Sequence, residues 1–298
     1  MHTITPGSVV VGVDGSAASD AALEWAVDLA QTRHRPLVLV CGAGEPTATA
    51  RLRDGRAARQ ALRMEARRLT DRALGRVRKI DRDLEVTART PLRDPADALL
   101  DLADEASVVV VGTRGRGRVS SVVLGSVSAA VCARAGCPVA VVRPEADRDP
   151  DAPGPVVVGI DASDQSAPAL DFAFEIASER GAALHVVHNW QPPHGWGQHG
   201  AEQQFTKAEA HQRALEIALA GYEETYPDVE VHRHLPRSSP VDTLRVLSET
   251  ASLVVVGARP HPGPTAVVGS VSRAVVEHAH CPVVVVRSAP ATTPLAHR

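Results

Sequence analysis

The chain is written twice. Val10-Val11-Gly12-Val13-Asp14-Gly15-Ser16 returns as Val157-Val158-Gly159-Ile160-Asp161-Ala162-Ser163, and Val108-Val109-Val110-Val111-Gly112 returns as Leu253-Val254-Val255-Val256-Gly257. Gly125-Ser126-Val127-Ser128 returns as Gly269-Ser270-Val271-Ser272, and Cys137-Pro138-Val139 as Cys281-Pro282-Val283. The offset falls from 147 residues at the first match to 144 at the last. Repetition over whole halves means a duplicated domain, not a solenoid of short units. With 298 residues, each copy is long enough to bury its own core. The expected division is a domain over 1–143, a linker over 144–155, a second domain over 156–287 and a frayed tail over 288–298. The linker reads PEADRDPDAPGP, charged and proline-rich with no apolar period.

Each half alternates strand and helix. In the first, Val9–Asp14 is an apolar run too short for a helix, and Leu23, Ala26, Val27 and Ala30 then recur at helical spacing. Leu37–Val40 reads as a second strand, Arg56 to Val77 as a long helix, and Leu84–Ala88 as a third strand. Pro95 opens a helix carrying Ala98, Leu99, Leu102 and Ala106. Val108–Val111, a short helix over Ser126–Ala135 with Gly136 at its C-cap, and a strand over Pro138–Val142 complete the unit. Leu170, Ala173, Phe174 and Ala177 repeat the spacing of the first helix. Strands separated by helices need crossover connections, hence a parallel sheet covered on both faces, and Val-rich runs suit strands buried that way.

Several classes are excluded by composition. A net charge of −3 gives no basic field for nucleic acid or an anionic membrane, and no apolar run reaches membrane-spanning length. Cys41, Cys132, Cys137 and Cys281 form no C-x-x-C pair, so buried reduced thiols in the cytoplasm are expected. Residues 1–7 are too short and polar for a signal peptide. The dinucleotide fingerprint is absent after the first strand. Only Lys79 and Lys207 are lysines, and neither lies in a glycine loop, which rules out a Walker motif. His188, His194 and His199 surround a Pro/Gly/Trp segment without tight metal-ligand spacing, which reads as a loop beside a pocket.

Ligands of an open parallel sheet sit beyond the carboxyl ends of its strands, where strand order reverses. The polar, glycine-rich segments follow the first and fourth strands. The fourth ends Gly112-Thr113-Arg114-Gly115-Arg116-Gly117-Arg118 and returns to Gly125-Ser126-Val127 at the mouth of a helix. Glycines bring backbone N–H groups against phosphate oxygens, and the helix start favours an anion, with Ser126 available as its cap. Backbone contacts are expected to outweigh those of the three arginines. Asp14 could accept hydrogen bonds from a ribose or base, or cap the helix that follows.

These residues resemble the universal stress protein family, whose ATP-binding members carry Gly, two residues, Gly, nine residues, then Gly-Ser or Gly-Thr. Gly112, Gly115 and Gly125-Ser126 match that spacing, Asp14 closes the first strand as in the family, and the likeness runs through both halves. It looks like the tandem form common in actinobacteria. The resemblance implies two Rossmann-like domains of the adenine nucleotide alpha hydrolase type, each a five-stranded parallel sheet of order 3-2-1-4-5 flanked by helices. It also implies that Val139–Val142 and Val283–Val286 pair across the halves. Carried over, Gly12 and Asp14 line the nucleoside, while Gly112–Arg118 and Gly125–Val127 wrap ribose and phosphates. The implied ligand is ATP, alone or with Mg2+. The implied role is a nucleotide-dependent regulator of stress adaptation, cytoplasmic and homodimeric. No residue can be assigned to phosphoryl transfer. An adenine-nucleotide-dependent enzyme with slow turnover and a non-binding scaffold are the alternatives.

The second half keeps Gly159, Asp161, Gly257, Gly269, Ser270 and Val271. Its loop departs, reading Gly257-Ala258-Arg259-Pro260-His261-Pro262-Gly263-Pro264 and reaching Gly269 one residue early. Pro260 stands where the second glycine belongs and has no N–H to donate. Normal, weakened and absent nucleotide binding all stay open there.

Overall fold

The structure, a computed structural model, describes residues 4–44, 48–113, 124–144, 154–190, 201–258 and 269–288, with backbone alone at 48–54 and 201–207. The first half runs β1 (Ser8–Gly12), α1 (Ala17–Thr32), β2 (Leu37–Val40), α2 (Ala48–Ile80), β3 (Val86–Arg89), α3 (Pro95–Ala103), β4 (Ala106–Gly112), α4 (Ser126–Arg134) and β5 (Val139–Val142). The second runs β6 (Val156–Ile160), a single 3-10 turn (Asp164–Ser166), α5 (Ala167–Arg180), β7 (Leu184–His188), α6 (Ala201–Leu219) and α7 (Tyr222–Thr225). It closes with β8 (Val231–His234), α8 (Pro240–Leu247), β9 (Leu253–Ala258), α9 (Ser270–His278) and β10 (Val283–Arg287).

Among the described residues, ten strands form one sheet in the order β3-β2-β1-β4-β5-β10-β9-β6-β7-β8. Neighbours are parallel within each half, and β5 with β10 is the one antiparallel pair among the described strands. By chain position each half therefore reads 3-2-1-4-5. The central strands are buried on both faces, which is why they are continuous Val and Leu runs without polar alternation. On each face one apolar layer continues across both halves. Leu23, Ala26, Val27 and Ala30 of α1 are buried in one layer, and Ala98, Leu99 and Leu102 of α3 in the other.

Several expectations need correction. The third strand lies at Val86–Arg89, two residues later than Leu84 suggests, because the paired segment on the sheet edge is half exposed and carries little apolar signal. The long helix starts earlier, at Ala48. Ala106 opens β4; α3 stops at Ala103, where Asp104 closes it. Gly136 does not cap α4. Ala135 does so in an extended conformation that needs no glycine. Instead, a Cβ at Gly136 would lie 3.0 Å from Asp104 Oδ1.

The two halves are clasped reciprocally. In the central pair Val283, Val284 and Val285 face Val141, Ala140 and Val139. On one face, Arg33, the C-cap of α1, lies over the Phe172 ring and pairs with Glu179 at 2.9 Å, while Arg180 of α5 lies over the Trp25 ring and pairs with Asp28 at 2.9 Å. On the other face, Arg143 donates to the Val276 carbonyl at the end of α9, and Arg287 donates to the Ala133 carbonyl at the end of α4. Guanidinium groups there satisfy terminal helix carbonyls and complement the negative helix end.

Candidate functional site

At the carboxyl end of the sheet, β1 and β4 are neighbours, and the chain crosses to opposite sides of them. That reversal opens a crevice between the two strand ends. After β1, Val13 N–H bonds the Val40 carbonyl at 2.9 Å, and Asp14 Oδ1 accepts from Ser16 N–H at 2.9 Å. Gly15, at φ +76°, takes the left-handed step between them. The cap of α1 is Ser16, whose Oγ accepts from Ser19 N–H at 3.2 Å. Of the two readings of Asp14, capping is thereby removed. Its carboxylate shapes the turn that presents the cap. Ser19 Oγ in turn receives Asp14 N–H at 3.1 Å.

The end of β4 packs directly on the start of α1. A Cβ at Gly112 would stand 2.7 Å from the Ala18 carbonyl carbon and 2.8 Å from its oxygen. Gly12 is close to Leu99, where a Cβ would meet Cδ1 at 3.2 Å. The long return loop is pinned at both ends. Thr113 N–H bonds the Val142 carbonyl at 2.8 Å, and Gly125 N–H bonds the Thr113 carbonyl at 2.9 Å. Ser128 Oγ donates to the Gly112 carbonyl at 2.6 Å, tying the first turn of α4 to the end of β4. Arg114, Gly115, Arg116, Gly117 and Arg118 lie outside the described residues.

Ser126 is not the cap of α4. Gly125 is, at φ −61° and ψ 152°, with Ala129 N–H closing the first turn onto its carbonyl at 2.9 Å. Because glycine offers no side-chain oxygen, nothing from the cap occupies the N–H groups of the first turn. Those groups, at Ser126, Val127 and Ser128, constitute the anion-favouring end of the helix.

The second half builds the same frame with different contacts. Asp161 Oδ1 accepts from Ser163 N–H at 3.0 Å, Ser163 Oγ at 2.6 Å and Ser166 Oγ at 2.8 Å. Ala162, the counterpart of Gly15, is held at φ +55°, a left-handed conformation that costs a residue with a Cβ about 1 kcal/mol. Ser272 Oγ donates to the Gly257 carbonyl at 2.7 Å, as Ser128 does to Gly112. Gly269 caps α9 without a side chain, followed by Ser270 and Val271. A Cβ at Gly257 would meet nothing within 4 Å. The space there is part of a cavity of about 1000 Å³ that reaches Gly159, Asp161, Gly269, Ser270 and Val271.

The far wall of this cavity was not legible from the chain pattern, apart from His188. His188 is buried, with Nδ1 3.3 Å from the Ile160 carbonyl oxygen and Nε2 2.9 Å from His211 Nδ1. His211 stacks on Trp190 at 5.3 Å, and Arg237 lies 4.6 Å from the same ring. Asn189 Nδ2 donates to the Ser238 carbonyl at 3.1 Å and to Thr243 Oγ1 at 2.8 Å. The signal available was the polar Asn189-Trp190 directly after a strand. His211 is brought in by a distant helix.

His194 and His199 lie outside the described residues, and among the described residues no group of three or more His, Cys, Asp or Glu could hold a metal. All four cysteines are buried, and burial pushes the Cys132 and Cys137 thiols up to about 12 and about 11. Neither is a thiolate nucleophile at neutral pH. No described helix is long and apolar enough to cross a membrane.

Comparison with known proteins bears on both halves. The model of the universal stress protein family matches residues 7–143 and again 154–287. A universal stress protein of Mycobacterium tuberculosis is 37% identical over 293 residues, covering 94% of this chain and 96% of the relative. One from Mycolicibacterium smegmatis is 35% identical over 304 residues, covering 96% and 99%. The crystal structure of a universal stress protein from Archaeoglobus fulgidus shares the fold with a TM-score of 0.71 at 17% identity, covering 95% of this chain and 99% of that one.

Proposed function

The chain belongs to the universal stress protein family, and from that premise we propose that its first half binds ATP, with occupancy regulating a stress response. The observation that carries this reading is the return loop between Thr113 and Gly125, pinned at its ends where strand order reverses. In this reading Ser126 and Val127 N–H groups donate to phosphate oxygens, joined by backbone groups of Gly112–Arg118, and Gly12 and Asp14 line the nucleoside. The side-chain-free cap at Gly125 supports it, since a phosphate then meets no competing oxygen. Mg2+, where it accompanies ATP, supplies charge neutralisation to the phosphates. In the second half, Gly159, Asp161, Gly257, Gly269, Ser270 and Val271 form the corresponding frame.

The proposed domains are 1–143 and 156–287, joined by 144–155 and followed by a tail from 288. The protein acts in the cytoplasm as a homodimer. Its dimer contact lies away from the fifth strands, which already pair within the chain. It regulates rather than turning over ATP quickly.

Denaturing the purified protein and identifying released nucleotide, with calorimetric titration of ATP, tests this reading. Gly115→Ala, or Phe at Gly125, is expected to weaken ATP at the first half by about tenfold or more, the loss of one or two charge-assisted hydrogen bonds. Absence of both bound and titratable ATP would overturn it. Rapid product formation with a co-substrate would transfer the site to the enzyme reading.

A further inference from the structure

The net charge of −3 conceals two opposite poles. Along α2, ten arginines and Lys79 stand against Asp54, Glu65 and Asp71, leaving +8 in one helix. Over residues 201–230, which hold α6 and α7, seven carboxylates stand against Lys207 and Arg213, leaving −5. The duplication gives these two segments equivalent places. Ala66, Leu69, Ala73 and Val77 of α2 and Leu215 and Leu219 of α6 are buried in the same apolar layer, so both helices lie on one face of the sheet. The strand order sets them at its opposite ends. There α2 packs on β2 and β3, and α6 is tied to the end of β7 through His211 and His188.

Each pole also turns an apolar side chain outward. Met64 of α2 is 64% exposed and Ile217 of α6 is 75% exposed, two of the five large hydrophobic side chains exposed among the described residues. Ile217 follows the buried Leu215 by two residues, about 200° around the helix, and so points away from the core. Beside Met64, Arg56, Arg59, Arg63 and Arg67 recur every three or four residues and form one exposed stripe. Arg68 pairs with Glu65 and Arg76 with Glu24, but Arg59, Arg63 and Arg67 have no ion pair among the described residues. Like charges at that spacing repel one another, a cost that an acidic partner removes. At the other pole Glu216, Glu223 and Glu224 are exposed, and Glu224 likewise has no ion pair among the described residues. An apolar centre inside a charged rim is how a protein contact is composed, and the two rims have opposite sign.

We propose that α2 docks on α6 and α7 of a second copy of this chain, with Met64 set against Ile217 and the arginine stripe against the glutamates. The proposal rests on the homodimer given above and names its surface. Because one molecule carries both poles on one face, a twofold axis above that face, along the strands at the β5–β10 pair, joins α2 of each copy to α6 and α7 of the other. Both contacts form at once, and the assembly closes as a dimer instead of growing into a filament. Charge selects this partner over a polyanion. Outside α2 the chain carries −11, the total of −3 less the +8 of the helix, and that remainder repels nucleic acid.

Sedimentation of the full chain at increasing NaCl tests the surface. The dimer dissociation constant is expected to rise about tenfold or more between about 0.05 and 0.5 M. Two charge reversals carry the test further. One chain carries Arg59→Glu, Arg63→Glu and Arg67→Glu together, and another carries Glu216→Arg with Glu224→Arg. Each alone is expected to dimerise about tenfold more weakly or worse, since both of its contacts then join like charges. Mixed, the two are expected to form a heterodimer, because every contact again joins opposite signs. A reversal that merely disturbed its own helix would not be rescued in this way. A dimer that neither salt nor reversal weakens, or a mixture that fails to associate, would overturn the proposal and leave the homodimer itself in place. A monomer at every salt concentration would remove both, without touching ATP binding. A short random-sequence DNA duplex bound by the unsubstituted chain and released by the arginine reversal would assign α2 to nucleic acid and overturn the proposal as well.

Discussion

A methyl group on Gly112 would stand 2.7 Å from the Ala18 carbonyl carbon, so the end of β4 and the start of α1 would have to part. Backbone atoms cannot rotate away as a side chain could. Gly112→Ala is therefore expected to cost about 2 kcal/mol, as overpacking in a close-packed interior does. Gly257→Ala enters open space at an ordinary backbone angle and is expected to stay within about 0.5 kcal/mol of the native protein. Urea midpoints of the two variants check the difference, and equal losses would refute it. The sequence makes these glycines equivalent, because a pattern of valines and a glycine records the strand and not what faces it. What separates them is the segment before α5. It enters through a 3-10 turn, with Ser163 turned onto Asp161, whereas Ser16 caps α1 directly.

Among the elements, legibility followed burial. β2 falls at Leu37–Val40, the span its apolar run marks, because all four residues are buried and nothing polar interrupts them. β3 and β8 lie on the two sheet edges, half exposed, and their sequences VTAR and VHRH carry no such run. β8 has a consequence of its own. His185 of β7 faces His232 and His234 at ring distances of 4.8 and 4.9 Å, with Glu230 hydrogen-bonded to His232 at 3.1 Å. His185 Nδ1 and His234 Nε2 are buried without a hydrogen-bond partner among the described residues. Burial, and then the neighbouring imidazoles, hold the pKa values of His185 and His234 below the usual 6.5. A base with a lowered folded pKa binds fewer protons folded than unfolded. Its stability contribution is therefore present above about pH 6.5 and lost as the pH falls below that value. The urea midpoint is expected to drop between about pH 7.5 and pH 5.5, and His185→Val, which restores the residue type of Val38 in β2, should flatten that drop. An unchanged slope in the variant would remove the histidines as its cause.

At the scale of the whole molecule, duplication was readable from spacing alone, and the pairing of fifth strands from the family resemblance. The arginine clasps were not, since Arg33 and Arg180, or Arg143 and Arg287, become partners only when α1 meets α5 and each fifth strand ends beside the opposite helix. Their reciprocity has a geometric source. Val141, Ala140 and Val139 face Val283, Val284 and Val285, so a pseudo-twofold axis passes through the Ala140–Val284 pair. Each half thus presents the other with nearly its own surface, the condition for an isologous contact. Cut away from its partner, the first half would expose β5, a fully buried apolar strand with unpaired N–H and C=O groups along its edge. Residues 1–147 expressed alone are expected to form a homodimer through β5, with Ala140 opposite its own copy and Arg33 reaching Asp28 of the other chain, the counterpart of Glu175, which stands 3.5 Å from Arg33 in the full chain. Light scattering should give twice the chain mass. Val141→Pro, which removes a donor to the facing strand, since Pro138 and Val142 accept from β4 and so the alternate positions of β5 face away from it, should shift that mass toward the monomer or the protein toward insolubility. A soluble monomer of residues 1–147 with unchanged helical content would show that β5 tolerates exposure, and that the clasps rather than the strands hold the halves together.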